Sequence, residues 1–568
     1  MLVCLYLKHN MKFLKKIMFR NTVKTLFLIF FFSLSKTAIA QSSKEKIHGI
    51  IVTTASGKLE GRTLQSGVHT FKGVPYAVPP VGDLRWKAPQ ALTNWSGVKK
   101  AINFGPRPVQ KSGILYEFRS EQMSEDCLYL NIWTAANSSE ERRPVYVFIH
   151  GGSFIHGDGS QPAYDGESMA KQGVVYISIN YRLGVFGFLA HPDLSKESEN
   201  GASGNYGLLD QVAALKWIKK NISAFGGDPD NVTIGGESVG AQSISAHMTS
   251  PLSRNLFSAA IAQSSSLLDS RGLIKSKASA EKLGVEFSEL TKTSSIKEMR
   301  LIDEKKLLKI ASKNDPRRFK PTVDGYFLKE FPLKTFENGN QANVPLLVGW
   351  NADEVPSLAF YRLKRATPEN FEKRVRKIYG DKADMLLQYY PVNTKAEAKI
   401  AGSKLGSDWL INYGSWQLAE LHAKKKTAPV YRYLFAQPHP GLTSRAINDG
   451  SFFQKILKRL INSAITGSAF HAAEIEYALG NLDVQDNYAW TTDDHVVSNQ
   501  MQGYFVNFIK NANPNGKTKN GLTLEKWPEI KSGSATKFMK IGVKSGAEVE
   551  IDSNRARYLL LQKIGVAD

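Results

Sequence analysis

Cysteine is almost absent from this chain. Of 568 residues, only Cys4 and Cys127 carry a thiol. If the first leaves with an N-terminal leader, no intrachain disulfide can form, and stability must come from a large core. Long apolar runs are missing too: after the leader, no stretch approaches the ~18 apolar residues of a membrane span. Basic residues are plentiful, giving a formal charge of +22, but they are mixed with acids, as over 362–377. No basic stripe interleaved with aromatics emerges, which argues against nucleic-acid binding. A solvated basic surface is the plain reading, with attraction to an anionic envelope or acidic substrate as the sharper one. Internal repeats and low-complexity linkers are also lacking. The spacings of His, Cys and acidic residues suggest no metal site.

What is present begins with a leader. Lys12, Lys15, Lys16, Arg20 and Lys24 precede the apolar run Leu26–Phe32, and Ala38-Ile39-Ala40 supplies small residues for cleavage. Residues 1–40 read as a secretory signal peptide, with Met11 or Met18 as alternative starts. The expectation is an exported protein, periplasmic or secreted. Residues 41–568 are read as a single continuous domain, and the chain's 42 % apolar content suffices for a sizeable core.

Six short apolar runs predict buried strands: Val145–Ile149, Val174–Ile179, Val232–Ile234, Ala259–Ala262, Pro345–Val348 and Val430–Leu434. They are continuous rather than alternating, as in parallel sheets covered on both faces. Between two of them, Leu208, Val212, Leu215, Ile218 and Ile222 mark one helical face, with Asp210, Lys216, Lys219 and Lys220 pointing away. Strands alternating with helices argue for a doubly wound α/β sheet. Ligands in such sheets bind beyond the carboxyl ends of the strands.

Gly236-Glu237-Ser238-Val239-Gly240 follows one of these strands and precedes a small-residue helical segment. Strand, Gly-x-Ser-x-Gly, helix is the context of a nucleophile elbow. A serine hydroxyl needs a base, and the base needs an acid to orient it, in the chain order Ser, acid, His. Upstream, Phe148-Ile149-His150-Gly151-Gly152-Ser153-Phe154 leaves another strand. The backbone N–H groups of Gly152 and Ser153, with that of Val239, suit an oxyanion hole.

At this point the chain resembles the type-B carboxylesterases, the cholinesterase-like α/β hydrolases, and looks most like the bacterial para-nitrobenzyl esterases. The resemblance rests on Phe71–Pro80, Leu84-Arg85-Trp86, Ser124–Trp133, Asn180-Tyr181-Arg182 and Gly207–Gln211. It continues through Phe225–Pro229, Gly236–Gly240, Asn351–Glu354, His471–Glu476 and Trp527-Pro528. It implies the α/β-hydrolase fold, with a mostly parallel central sheet, helices on both faces and insertions over the active site. It implies Ser238 as nucleophile, Glu354 as acid and His471 as base, with Asp353 the local rival to Glu354. His150 would support the oxyanion loop. Arg85 with Glu125 and Arg182 with Asp210 would be structural charge pairs. A small-molecule ester is the implied substrate, and no metal or organic cofactor is implied.

The chain departs from the family pattern in places. Arg107 and Pro108 follow Phe104-Gly105-Pro106 where the family carries a cysteine, so Cys127 is expected as a buried, inert thiol. Val355 replaces the usual glycine after the acid, which questions that turn. The segment 108–126 lacks the cholinesterases' choline-binding tryptophan and offers Tyr116 and Phe118 as its nearest aromatics, which disfavours choline esters. Ahead of His471, Ser451–Asn462 presents apolar residues at helical spacing, read either as a helix packed over the active-site mouth or as a lid touching lipid-like substrates. Two rival functions share these residues: an amidase or acyltransferase using the same triad, and a noncatalytic binding protein.

Overall fold

In this computed structural model the described residues run from 49 to 565, except 112–116, 269–272, 314, 363, 532–535 and 550–551. The leader 1–40 and Tyr116 lie outside them. The chain starts with β1 (Gly49–Thr54), β2 (Gly57–Thr63), β3 (His69–Pro75), β4 (Val98–Lys100) and β5 (Tyr129–Thr134). Next come β6 (Arg143–Ile149), β7 (Val175–Ile179), β8 (Gly227–Glu237) and β9 (Ala259–Gln263). β10 (Lys275–Ser276) and β11 (Thr322–Val323) form a small separate pair. β12 (Leu346–Asn351), β13 (Val430–Phe435), β14 (Lys537–Ile541) and β15 (Gly546–Val549) complete the set.

The main sheet has the order β1-β2-β3-β5-β7-β6-β8-β9-β12-β13-β14-β15, with β4 alongside β2. From β7 to β14 every neighbour is parallel, whereas β1-β2-β3-β5-β7 and β14-β15 pair antiparallel. All six runs expected as strands are strands of this parallel centre, and β8 is longer than its apolar run. Their side chains alternate between two cores. Val145, Val147 and Ile149 enter one cluster, while Tyr146 and Phe148 enter the other. Both faces of β6 are therefore buried, which explains its unbroken apolar character. Chain direction reverses around β6, whose neighbours β7 and β8 carry the chain to opposite sides. This switch point is where open α/β sheets leave a crevice beyond the strand ends.

The helix Tyr206–Asn221 covers one face through Leu208, Val212, Leu215 and Ile218, as periodicity predicts. Asp210 corrects that reading. It does not face water but is fully buried, because Arg182 reaches it through Nε–Oδ2 at 2.8 Å and Nη2–Oδ1 at 2.7 Å. Arg85 likewise grips buried Glu125, with Nε–Oε2 at 2.7 Å, and caps the backbone oxygens of Arg300 and Ile302. Removing one member of such a pair strands a buried charge, at about 3–5 kcal/mol. Cys127 is buried and unpaired, and burial pushes its thiol pKa well up, away from the reactive thiolate. Among the described residues, no helix is long and apolar enough to cross a membrane.

Candidate active site

The carboxyl ends of β6, β8 and β12 converge on one place. Ser238 follows the last residue of β8 and precedes the helix Val239–Thr249. Its φ of 57° and ψ of −120° place it in a conformation that L-residues avoid, at a cost of about 1–3 kcal/mol. The surroundings enforce that turn. Ser238 N–H donates to the Gln263 carbonyl at 2.9 Å on β9, and its own carbonyl accepts the N–H of Gln242 at 3.0 Å. Gly240 must be glycine because a Cβ there would fall 2.1 Å from the Ile149 carbonyl oxygen. The helix can therefore rise directly against the end of β6, with its positive end beside the serine.

Ser238 Oγ lies 3.0 Å from His471 Nε2, and His471 Nδ1 lies 2.6 Å from Glu354 Oε2. Because a carboxylate only accepts, Nδ1 carries the hydrogen and Nε2 is left to receive the serine proton. Glu354 is fully buried, and its other oxygen accepts the N–H of Asn351 at 2.7 Å. Asp353 turns elsewhere. Its carboxylate accepts the N–H of Ala469, and its own N–H bonds the Ala469 carbonyl, tying the acid turn to the histidine loop. Val355 is accommodated without left-handed backbone. Its N–H donates to Ser407 Oγ at 3.0 Å and its carbonyl accepts Ser403 Oγ–H at 2.7 Å. Two helix hydroxyls hold the turn, so glycine is not needed there.

The loop after β6 is equally constrained. Gly152 has φ 118°, and a Cβ on it would sit 1.9 Å from the His156 carbonyl oxygen. That turn directs the Gly152 carbonyl to the N–H groups of Ile155 and His156. Ser153 and Phe154 follow in the left-handed region, at φ 57° and 56°. His150 supports the loop. Its Nδ1 donates to the Gly151 carbonyl at 2.8 Å, its ring stacks on Tyr181, and burial lowers its pKa to about 4. It is a neutral strut well separated in role from His471.

Two acids that motif reading quoted without a role complete the frame. Glu237, buried between Gly151 and Ser238, places Oε1 3.1 Å from His471 Nε2. Burial raises its carboxyl to about 8. Glu474 is fully buried behind the site, accepting from Asn351 Nδ2 at 2.5 Å and Gln263 Nε2 at 3.3 Å, and burial lifts it to about 7. Burial alone would depress the His471 imidazole, but the neighbouring Glu237 and Glu354 carboxylates outweigh it and hold it up to about 9. The only sequence signal for these acids is their place inside the serine and histidine motifs.

Comparisons with known proteins agree with this architecture. The model of the carboxylesterase family matches residues 48–559. A fumonisin B1 esterase of Sphingopyxis macrogoltabida is 35 % identical over 526 residues, covering 92 % of this chain and 93 % of that protein. A para-nitrobenzyl esterase of Bacillus subtilis (strain 168) is 35 % identical over 493 residues, covering 84 % and 92 %. The solved carboxylesterase Est55 of Geobacillus stearothermophilus superposes with a TM-score of 0.72 at 31 % identity, covering 89 % of this chain and 99 % of that one. The chain belongs to the carboxylesterase family of α/β hydrolases, and its class of reaction is carboxylic ester hydrolysis.

Proposed function

We propose that this protein hydrolyses carboxylic esters through an acyl-enzyme on Ser238. The supporting observation is the unbroken relay from Ser238 Oγ to His471 to Glu354, at 3.0 and 2.6 Å, at the sheet's switch point. As Ser238 Oγ attacks the ester carbonyl carbon, its proton passes to His471 Nε2, and Glu354 stabilises the imidazolium. The tetrahedral oxyanion is received by the backbone N–H groups of Gly152, Ser153 and Val239, each worth about 2.7–4 kcal/mol of barrier. Collapse breaks the bond to the alcohol, which takes the proton from His471. Water then gives its proton to His471 and attacks the acyl carbon, releasing the acid and restoring Ser238.

The anionic form of Glu237 enters this cycle electrostatically. With Oε1 beside His471 Nε2, it favours the imidazolium that forms during both attacks. The noncatalytic reading loses support because serine, acid and histidine are all kept and aligned. Amidase and acyltransferase activity share the acyl-enzyme, and comparing p-nitrophenyl ester with anilide turnover separates them. Ser238→Ala must abolish ester turnover; retained turnover would sink the proposal.

The leader 1–40 supports export to the periplasm or medium, with 41–568 acting as one catalytic domain. Fractionation detecting only full-length chain in the cytoplasm would oppose this. The helix starting at Phe452 walls the approach to His471 and meets poorly soluble ester substrates as they enter. Rate measured across the solubility limit of a medium-chain ester should then rise above simple saturation, and a smooth saturation curve would oppose it.

A further inference from the structure

The helix Phe452–Ile465 is divided lengthwise into faces of different character. Leu457, Ile461 and Ile465 are buried and form a small cluster of their own with Phe470 and Tyr488. Another face points outward: Phe452 is 75 % exposed and Leu460 53 %, with Phe453 and Ile456 at 41 % each. Residues 452, 456 and 460 succeed one another four apart, so they share one exposed ridge. Lys455 and Arg459 occupy the helix edge beside it and the helix itself contains no acid, whereas Lys458 turns back to the Ala446 carbonyl and pairs with Asp449. A capping box between Ser451 and Gln454 fixes its first turn. The helix thus presents this ridge as an ordered element, joined to His471 by the five residues 466–470.

Four clustered, exposed large apolar side chains are unusual on a helix that has room to bury only three. A second copy of this chain is a poor occupant. A twofold contact through the ridge would bring each basic edge close to its own symmetry mate, with no acid on the helix to offset it. An anionic lipid surface fits both features at once. Apolar side chains enter the acyl boundary while lysine and arginine stay at the headgroups. Without the leader's seven basic residues the chain still carries a formal charge of 22 − 7 = +15, so long-range attraction has the same sign.

We infer that the Phe452–Ile465 helix docks this enzyme on anionic lipid bilayers, through the Phe452, Phe453, Ile456 and Leu460 ridge and its basic edge. The inference goes beyond ester hydrolysis and does not depend on it.

The test is vesicle flotation of the full mature chain. Vesicles of equal parts phosphatidylcholine and phosphatidylglycerol are compared with pure phosphatidylcholine. The protein should float with the anionic vesicles and be released as salt rises to ~0.5 M. Phe452→Ser combined with Ile456→Ser should weaken partitioning at least about tenfold, since two large apolar side chains no longer leave water. Lys455→Gln and Arg459→Gln should each weaken it about fivefold and leave pure phosphatidylcholine unaffected. An unchanged Tm shows that these exposed substitutions leave the fold intact. Ser238→Ala should float like the parent, which separates docking from catalysis. The inference is overturned if the parent stays unbound with anionic vesicles, or if the Phe452/Ile456 variant floats equally well. It is also overturned if the ridge proves to be a dimer contact, with the variant becoming monomeric and neither form floating.

Discussion

The site floor and the helix ahead of His471 are built in opposite ways. Ser238, Glu354 and the Gly152 turn sit at the ends of parallel strands buried on both faces, held by backbone contacts that leave one conformation open to each. The Phe452–Ile465 helix rests on three buried large apolar side chains and leaves four others substantially exposed. The candidate site is over-determined, and the helix beside Phe470 is held by one small cluster. An enzyme divided this way can keep one reaction while the walls around it change, because the unusual backbone at Ser238 is held by β9, and that at Ser153 and Phe154 sits in a loop closed by its own hydrogen bonds to the Gly152 carbonyl.

The largest expected effect bears on the floor. Ser238→Ala should lower ester turnover by at least about 10⁴-fold with little change in Tm, since a buried hydroxyl is lost and no cavity is opened. Turnover by the variant within tenfold of the parent would end the distinction between floor and wall. Core truncation compares the two regions directly. Ile234→Ala, in the centre of β8, should cost about 3–5 kcal/mol in denaturant unfolding, and Leu457→Ala about 1–2, because the satellite cluster relaxes more easily. Equal costs would mean the helix is as firmly seated as the sheet.

Smaller effects report on the electrostatics of the floor. In the proposed cycle His471 must be neutral to act as base, and its pKa is raised, so kcat/KM should fall on acidification with its acid limb on the alkaline side of the ordinary 6.5. Glu237 helps to hold that value up. Glu237→Gln should therefore move the limb to lower pH by about one unit, read from kcat/KM profiles of both proteins. A limb that stays put or moves up would assign the raised pKa to Glu354 alone. The smallest effect is none at all: dithiothreitol should leave activity unchanged, because Cys127 is buried, unpaired and held protonated.

Sequence reading reached the floor more readily than the wall, and for physical reasons. Strands buried on both faces must be continuously apolar, so β6, β7, β8, β9, β12 and β13 were legible as runs. β1 and β2 mix exposed and buried positions and β4 is exposed throughout, so none of them carries such a signal. Gly-x-Ser-x-Gly and His-Gly-Gly-Ser are local, because each turn is made by neighbouring residues. Glu354 and His471 were legible through family resemblance, since nothing local distinguishes a loop acid or a lone histidine. Ser403, Ser407 and Gln263 hold the site across dozens to hundreds of residues, and no local pattern encodes those contacts. Asp210 misled because helical periodicity assigns charge to the water side, whereas its partner Arg182 comes from another element. The exposed ridge of the Phe452 helix was legible as an apolar face, but only the fold tells which part of that face is covered.

The central claim is that Ser238 is the attacked and acylated residue. Its most direct test is covalent labelling with a reactive organophosphate ester, followed by intact mass and peptide mapping. The account predicts one phosphoryl group per chain, on the peptide containing Ser238, gained in step with the loss of esterase activity. Complete inactivation with Ser238 unmodified, or labelling of another residue at the same rate, would contradict it.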